Sequence, residues 1–163
     1  METLPIKRLN QELLDATAQK ALNSPRLRQN YDFHEWSERV QRFINAFQLG
    51  TYVRPHRHLR APEVNGFEFF LVLQGSLGML ILDEQGQVIH AERIEAHGPT
   101  HGVELAEGNF HTLVALEPNT VILELKEGPY TRMTDKEFMQ SFPEEGTAEA
   151  QQWVSKWESY FQP

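Results

Sequence analysis

The feature that most constrains this chain is a series of short strand-like segments from Val40 to Lys126. These segments are rich in β-branched and aromatic residues, and Gly, Asn, Asp or Pro stand between them. They read VQRFINAF, TYVRPHRH, FEFFLVLQG, SLGMLILDE, QVIHAERIEA, HGVELA, HTLVALEP and TVILELKE. Eight closely spaced candidate strands predict an all-β sandwich or barrel.

Helical patterns flank the strands. Apolar residues recur at helical spacing behind Asn10, a suitable N-cap, and the run ends at Asn23-Ser24-Pro25. After the strands, Thr134 to Glu137 has the form of a capping box and predicts a short helix that Pro143 ends. A last helix is predicted from about Thr147, with one aromatic stripe that contains Trp153, Val154, Trp157, Tyr160 and Phe161.

These elements predict a single structural domain. We expect an N-terminal helix and arm in residues 1–35, a barrel in residues 36–130 and a C-terminal helical extension in residues 131–163. A length of 163 residues is sufficient for one hydrophobic core without disulfides.

Composition excludes several classes of function. The formal net charge of −8 argues against a nucleic-acid or anionic-membrane surface, because either partner requires a clustered excess of Lys and Arg. No segment has the length needed to cross a bilayer, so a soluble cytoplasmic protein is expected. The chain has no cysteine, so any metal must be bound by nitrogen and oxygen ligands.

Three histidines and one glutamate form the candidate metal site. In a strand His56 and His58 point to the same face, and Glu68 begins an otherwise apolar strand, where an unpaired charge is very costly. His111 opens a further strand. Three imidazoles and a carboxylate suit one divalent ion such as Zn, Fe, Mn or Ni.

The spacing of these residues resembles the two motifs of the cupin superfamily. The first motif corresponds to Gly50, His56, His58, Glu68 and Gly75, and the second to residues 106–111, with Ala106 where the family has proline. Nine residues separate His58 from Glu68, where the family usually has three or four, which indicates an inserted loop. Glu63 has the usual distance from His58, but Glu68 has the right distance to Gly75 and is preferred.

A more specific resemblance covers most of the chain. The segments SPRLRQNYDFH, VQRFINAFQLGTYVRPHRH, FFLVLQG, GNFHTLVALEP and LELKEGPY are similar to the WbuC-type cupin metalloproteins. The resemblance implies a jelly-roll barrel, also called a double-stranded β-helix, and a metal ion. It also implies an association with bacterial surface-polysaccharide gene clusters, although that family has no well-established reaction.

Four further residues are candidate ligand contacts on the inner face of the barrel: Tyr52, Arg54, Glu124 and Lys126. For Glu124 and Lys126 the alternative is a structural ion pair between strands. The segment from Arg26 to His34 has no strong periodicity, so it could form a lid, a contact with a partner barrel or a solvated arm.

The expected function is that of a metal-binding cupin that acts on a small polar or anionic ligand, such as a sugar or sugar nucleotide. A bound ion would support isomerase, epimerase or lyase chemistry, and no catalytic residue is assigned. The alternative is a metal-containing module that binds a sugar or regulates without turnover, since one fold hosts both. The strand FEFFLVLQG is apolar on both faces, which fits either covering helices or a homodimer.

Overall fold

The computed structural model describes residues 6–128 and 136–163. Its helices are α1 (Gln11–Leu22) and α2 (Ala148–Glu158), followed by a short 3₁₀ turn (Ser159–Phe161). Its strands are β1 (Arg28–Asp32), β2 (Val40–Phe47), β3 (His56–Arg57), β4 (Glu68–Gln74), β5 (Ser76–Leu82), β6 (Val88–Glu95), β7 (Gly102–Leu105), β8 (Phe110–Ala115), β9 (Thr120–Glu127) and β10 (Glu137–Phe138).

The strands of the described residues form two five-stranded antiparallel sheets. The first sheet has the order β1-β2-β9-β4-β7, and the second has the order β10-β3-β8-β5-β6. Consecutive strands often lie in different sheets, so the chain winds between the two layers as in a jelly roll. Side chains alternate along β4, and Glu68, Phe70 and Val72 are the ones buried between the sheets.

Three apolar clusters hold these layers together. The main cluster lies between the sheets and includes Phe70, Leu77 and Ile122. On the outer face of the second sheet, α2 packs through Val154 and Trp157. On the outer face of the first sheet, α1 packs Leu14, Ala18 and Ala21 against β2 and β9. The helices therefore cover sheet faces and leave the interior to the strands.

Two predicted elements differ in the structure. The segment TYVRPHRH was expected to be one strand, but only His56 and Arg57 are in a strand. Pro55 has no amide hydrogen to donate to a ladder, which limits the strand on this side. The helix predicted from Thr134 begins outside the described residues, and from Glu137 the chain forms β10 instead. The Met139 amide donates to the Pro55 carbonyl at 2.9 Å, which places this segment alongside β3.

The described part of the chain contains no helix that combines the length and the apolar character needed to cross a lipid bilayer.

Candidate metal centre

The imidazole cluster is assembled by three segments that meet at one end of the second sheet. His56 pairs with His111 of β8 on one side and with Phe138 of β10 on the other. The amide of Gly108 donates to the His58 carbonyl at 3.1 Å, which joins the turn before β8 to the chain after β3. Gly108 has a φ of +84°, a conformation that favours glycine, so this motif residue is required by the turn.

The three imidazoles are close and buried. One ring nitrogen from each of His56, His58 and His111 lies within 4.8 Å of the other two. The ring centroids of His56 and His111 are 4.5 Å apart, and those of His56 and His58 are 5.1 Å apart. All three residues are less than 5% exposed, so the cluster is shielded from bulk water.

Glu68 joins this cluster from the first sheet. One carboxylate oxygen is 3.1 Å from His58 Nε2 and the other is 3.3 Å from His111 Nε2. Glu63, the alternative carboxylate, is exposed on the loop that follows His58. The structure therefore brings together the four residues predicted as ligands and leaves Glu63 outside.

Backbone carbonyls orient two of the imidazoles. His56 Nδ1 donates to the Arg54 carbonyl at 2.8 Å, and His111 Nδ1 donates to the Asn109 carbonyl at 3.1 Å. A carbonyl oxygen can only accept, so each Nδ1 carries the hydrogen and each Nε2 keeps its lone pair in the neutral ring. Carbonyl partners of this kind fix ring orientation at metal-binding histidines.

Burial sets the charge of the cluster. Burial, with added repulsion from Lys136 and the neighbouring imidazoles, holds the pKa of His56 well below its ordinary value. Burial also lowers the pKa of His111. For Glu68 burial alone would raise the pKa, but His111, His58 and Lys126 hold it well below the usual range. At neutral pH the site therefore offers neutral imidazole nitrogens from His56 and His111 and an ionised carboxylate from Glu68.

This donor set fits a divalent ion. Neutral imidazole nitrogens and a carboxylate are suitable ligands for Zn and for Fe, Mn or Ni. The buried carboxylate between two imidazoles would otherwise be an expensive arrangement, since burial of charge must be compensated. His56, His58, Glu68 and His111 are the residues that could hold the ion.

The cluster forms one wall of a cavity of 490 Å³ between the sheets. Two of the four predicted ligand contacts, Glu124 and Lys126, line this cavity. Lys126 Nζ lies 3.2 Å from Glu124 Oε1, so the two residues form an ion pair within strand β9, whereas the alternative interpretation was a pair between strands. Glu124 also accepts a hydrogen bond from Asn45 Nδ2 at 2.6 Å.

Tyr52 and Arg54 are placed differently from the prediction. Tyr52 is 2% exposed; its hydroxyl donates to the Pro143 carbonyl at 2.7 Å and its ring stacks on Trp157. The Arg54 guanidinium lies over the Phe138 ring at 5.4 Å. Neither residue lines the cavity, so the expectation that both share an inner face with His56 was wrong. Strand alternation does not apply there because the strand begins only at His56.

Several cavity residues were not predicted as ligand contacts. Asn45 lies between Phe43 and Phe47 on the inward face of β2, and a polar residue at such a position is a usable sequence signal. Arg28 of β1 also lines the cavity, because β1 extends the first sheet beside β2. Nothing in the sequence identified Lys136 as a cavity residue, because its position beside the cavity depends on the pairing of β10 with β3.

Solved structures define the fold class. The chain is similar to the capsular polysaccharide assembling protein CapF from Staphylococcus aureus, with 18% identity and a TM-score of 0.57, over 68% of this chain and 30% of CapF. It is also similar to oxalate decarboxylase from Bacillus subtilis, with 17% identity and a TM-score of 0.51, over 69% of this chain and 27% of that protein. The oxalate decarboxylase of Lactobacillus farciminis matches with 12% identity and a TM-score of 0.52, over 70% and 32% of the two chains.

This chain thus spans about a third or less of the length of these three proteins. They are cupin-fold proteins, and the two antiparallel sheets described above have the same architecture. The protein therefore has a cupin-like fold, and the predicted fold class is confirmed.

Within this class the chain belongs to a family described as a domain of unknown function, DUF6016. The family model matches residues 9–94, which is more than half of the chain. No curated protein matches the sequence.

Proposed function

We propose that this protein binds one divalent metal ion through His56, His58, Glu68 and His111. The observation that carries the proposal is the buried imidazole cluster, with ring nitrogens within 4.8 Å of one another. The carboxylate of Glu68 beside two of these imidazoles supports it. When bound, such an ion supplies a Lewis acid that polarises an oxygen atom of a ligand.

The proposed ligand is a small polar or anionic molecule, such as a sugar or sugar nucleotide of surface-polysaccharide metabolism. The WbuC-type sequence resemblance supports this choice, and the fold neighbour CapF is named for capsular polysaccharide assembly. A cavity of 490 Å³ has the size of a small-molecule site. Glu124 and Lys126 on its wall would bind or orient hydroxyl and anionic groups of that ligand.

Elemental analysis of protein purified without chelator tests the metal site. We expect about one transition-metal or zinc ion per chain in the wild type and a loss of most of it in His56→Ala and His111→Ala. His90→Ala is the matched control, because His90 is exposed and contacts only the surface residue Glu92 among described residues. Metal content below about a tenth of an ion per chain would contradict the proposal.

A matched pair of variants tests which carboxylate binds the metal. Glu68→Gln is expected to lose about ten-fold or more in metal affinity, because it removes the only charged oxygen donor within the described cluster. Glu63→Gln should bind metal like the wild type, since Glu63 is exposed. The reverse pattern would assign the ligand to Glu63.

Incubation of the metal-loaded protein with a panel of nucleotide sugars separates the two classes of function. Turnover that disappears in His111→Ala would support an isomerase, epimerase or lyase. Saturable binding without turnover would support a binding or regulatory module.

A further inference from the structure

The cavity has a positive lining in an acidic protein. Four cationic side chains line it, namely Arg26, Arg28, Lys126 and Lys136, against the two carboxylates Glu68 and Glu124. The lining therefore has two positive charges in excess, whereas the whole chain has a formal net charge of −8. A positive concave surface with low-dielectric walls concentrates anions even when the exterior of the protein is acidic.

Three of these cations already have carboxylate partners from this chain. Arg26 and Arg28 both bind Glu145, which lies just before α2; Arg26 Nε is 3.0 Å from Glu145 Oε2. Lys126 pairs with Glu124 at 3.2 Å. The arginine pair shows that a carboxylate is readily held at that end of the cavity, because a guanidinium binds carboxylates in a fixed geometry.

Lys136 differs from the other three. It lies two residues before Phe138, which pairs with His56, and it lines the same cavity as His56 and His111. It lines the cavity and is accessible to solvent there. Within residues 6–128 and 136–163, no carboxylate forms an ion pair with its ammonium group.

The charges around Lys136 are mixed. Glu124 and Glu68 attract its ammonium, whereas Lys126 and Arg28 repel it, so these five groups interact across one small volume. An anion placed among Lys136, Lys126 and Arg28 would relieve the repulsion between these three cations.

We propose that Lys136, together with Lys126 and Arg28, forms an anion-binding subsite beside the imidazole cluster. The cavity ligand is then a hydroxylated organic anion whose carboxylate or phosphate group contacts these cations while a second oxygen atom reaches the wall formed by His56 and His111. The part of this inference that involves metal rests on the proposed function. The part that involves anion binding rests only on cations of this chain.

Isothermal titration calorimetry at low ionic strength tests the subsite. Glucuronate and glucose are the matched probes, because they share a sugar ring and differ in one carboxylate; inorganic phosphate tests the phosphate class. Metal-loaded and metal-stripped proteins are both titrated. We expect glucuronate, phosphate or both to bind about ten-fold or more tightly than glucose, and added salt to weaken that binding.

The matched variants are Lys136→Gln and Lys20→Gln, which remove the same charge. Lys20 is exposed in the last turn of α1, which packs on the outer face of the first sheet, and it does not line the cavity. We expect Lys136→Gln to weaken anion binding about ten-fold and Lys20→Gln to leave it unchanged. The inference would be overturned if neither glucuronate nor phosphate bound more tightly than glucose, or if the two variants behaved alike.

The anion subsite and the metal site can fail independently in these experiments. Anion binding that depends on Lys136, in a protein that contains no metal even when purified without chelator, would keep the subsite and reject the metal site. A full complement of metal, with anion binding that ignores Lys136, would keep the metal site and reject the subsite.

Discussion

Tyr52 illustrates how one buried hydroxyl connects distant parts of the chain. Its hydroxyl donates to the Pro143 carbonyl at 2.7 Å, and its ring lies parallel to Trp157 with centroids 5.6 Å apart. The barrel is thereby joined to the segment before α2. Burial raises the pKa of Tyr52 to about 12, because the ionised phenolate would lose its hydration.

The Tyr52→Phe variant tests this assignment. A raised pKa contributes stability that is complete below the ordinary value of about 10 and is lost as the pH rises through about 12. We therefore expect the wild type to lose unfolding free energy across this alkaline range and Tyr52→Phe to lose less. At neutral pH the variant should be less stable by about 1 kcal/mol, since one hydrogen bond is missing.

Urea denaturation between about pH 9 and about pH 12 provides the measurement. Tyr160→Phe is the control, because Tyr160 is 47% exposed. Identical alkaline profiles for the wild type and both variants would show that Tyr52 does not control this range.

The spacing of residues in the sequence predicted some residues of the site correctly and missed others. His56, His58, Glu68 and His111 follow a motif, and the structure brings them together. Tyr52 was assigned to the cavity by strand alternation alone and lies outside it, because alternation requires a continuous strand. Lys136 was missed because nothing local in the sequence shows that β10 pairs with β3.

Elements whose ends are set by local contacts were predictable. Asn10 accepts from the Leu13 amide at 3.1 Å, as expected for the N-cap of α1. The segment from residue 136 to Pro143 was not predictable in this way. Met139 and Phe142 are three residues apart, which suggests a helix, yet both are buried by a short strand and a turn that pack on the second sheet. Tertiary packing decides such short apolar patterns.

The N-cap of α2 offers a test at the scale of the element. Thr147 Oγ1 accepts from the Ala150 amide at 3.1 Å, where α2 begins. Thr147→Ala should lower the unfolding free energy by about 1 kcal/mol, because an orphan amide at the helix start loses its acceptor. Thr147→Ser should retain most of the stability, since serine supplies the same oxygen.

Urea denaturation of these α2 variants is the measurement, and an unchanged m-value shows that a shifted midpoint reports a change in unfolding free energy. Ser155→Ala serves as control, because its hydroxyl contacts only the Gln151 carbonyl on the exposed side of α2 among described residues. A Thr147→Ala variant as stable as Ser155→Ala would show that α2 is held by packing of Val154 and Trp157 alone.

The whole molecule combines a stable layered frame with a costly polar interior. The two helices cover the outer faces of the sheets, so apolar burial there is independent of the cavity. Inside, Glu68 and three imidazoles are buried together. A protein of this kind loses stability at its polar interior when the compensating partner, which we propose to be a metal ion, is removed.

This arrangement predicts how stability depends on pH in metal-stripped protein. Burial holds the pKa of His56 and His111 below the ordinary value of 6.5. Unfolding restores the ordinary values, so below about pH 6.5 the unfolded chain binds more protons than the folded chain. The unfolding free energy of metal-stripped protein should therefore fall as the pH is lowered from about 7.5 to about 5.5. Across the same range the stability added by metal should shrink, because protons and the ion compete for the same imidazole nitrogens.

Urea midpoints of metal-loaded and metal-stripped protein at about pH 7.5, 6.5 and 5.5 measure both effects. In the stripped protein, the double variant His56→Gln/His111→Gln should show a weaker dependence of unfolding free energy on pH. His90→Gln should leave this dependence unchanged, because the side chain of His90 is 55% exposed. A flat profile for the stripped wild type would mean that the two buried imidazoles titrate alike in the folded and unfolded chains. If the difference in unfolding free energy between metal-loaded and metal-stripped protein stayed constant with pH, the ion would be bound by groups other than these imidazoles.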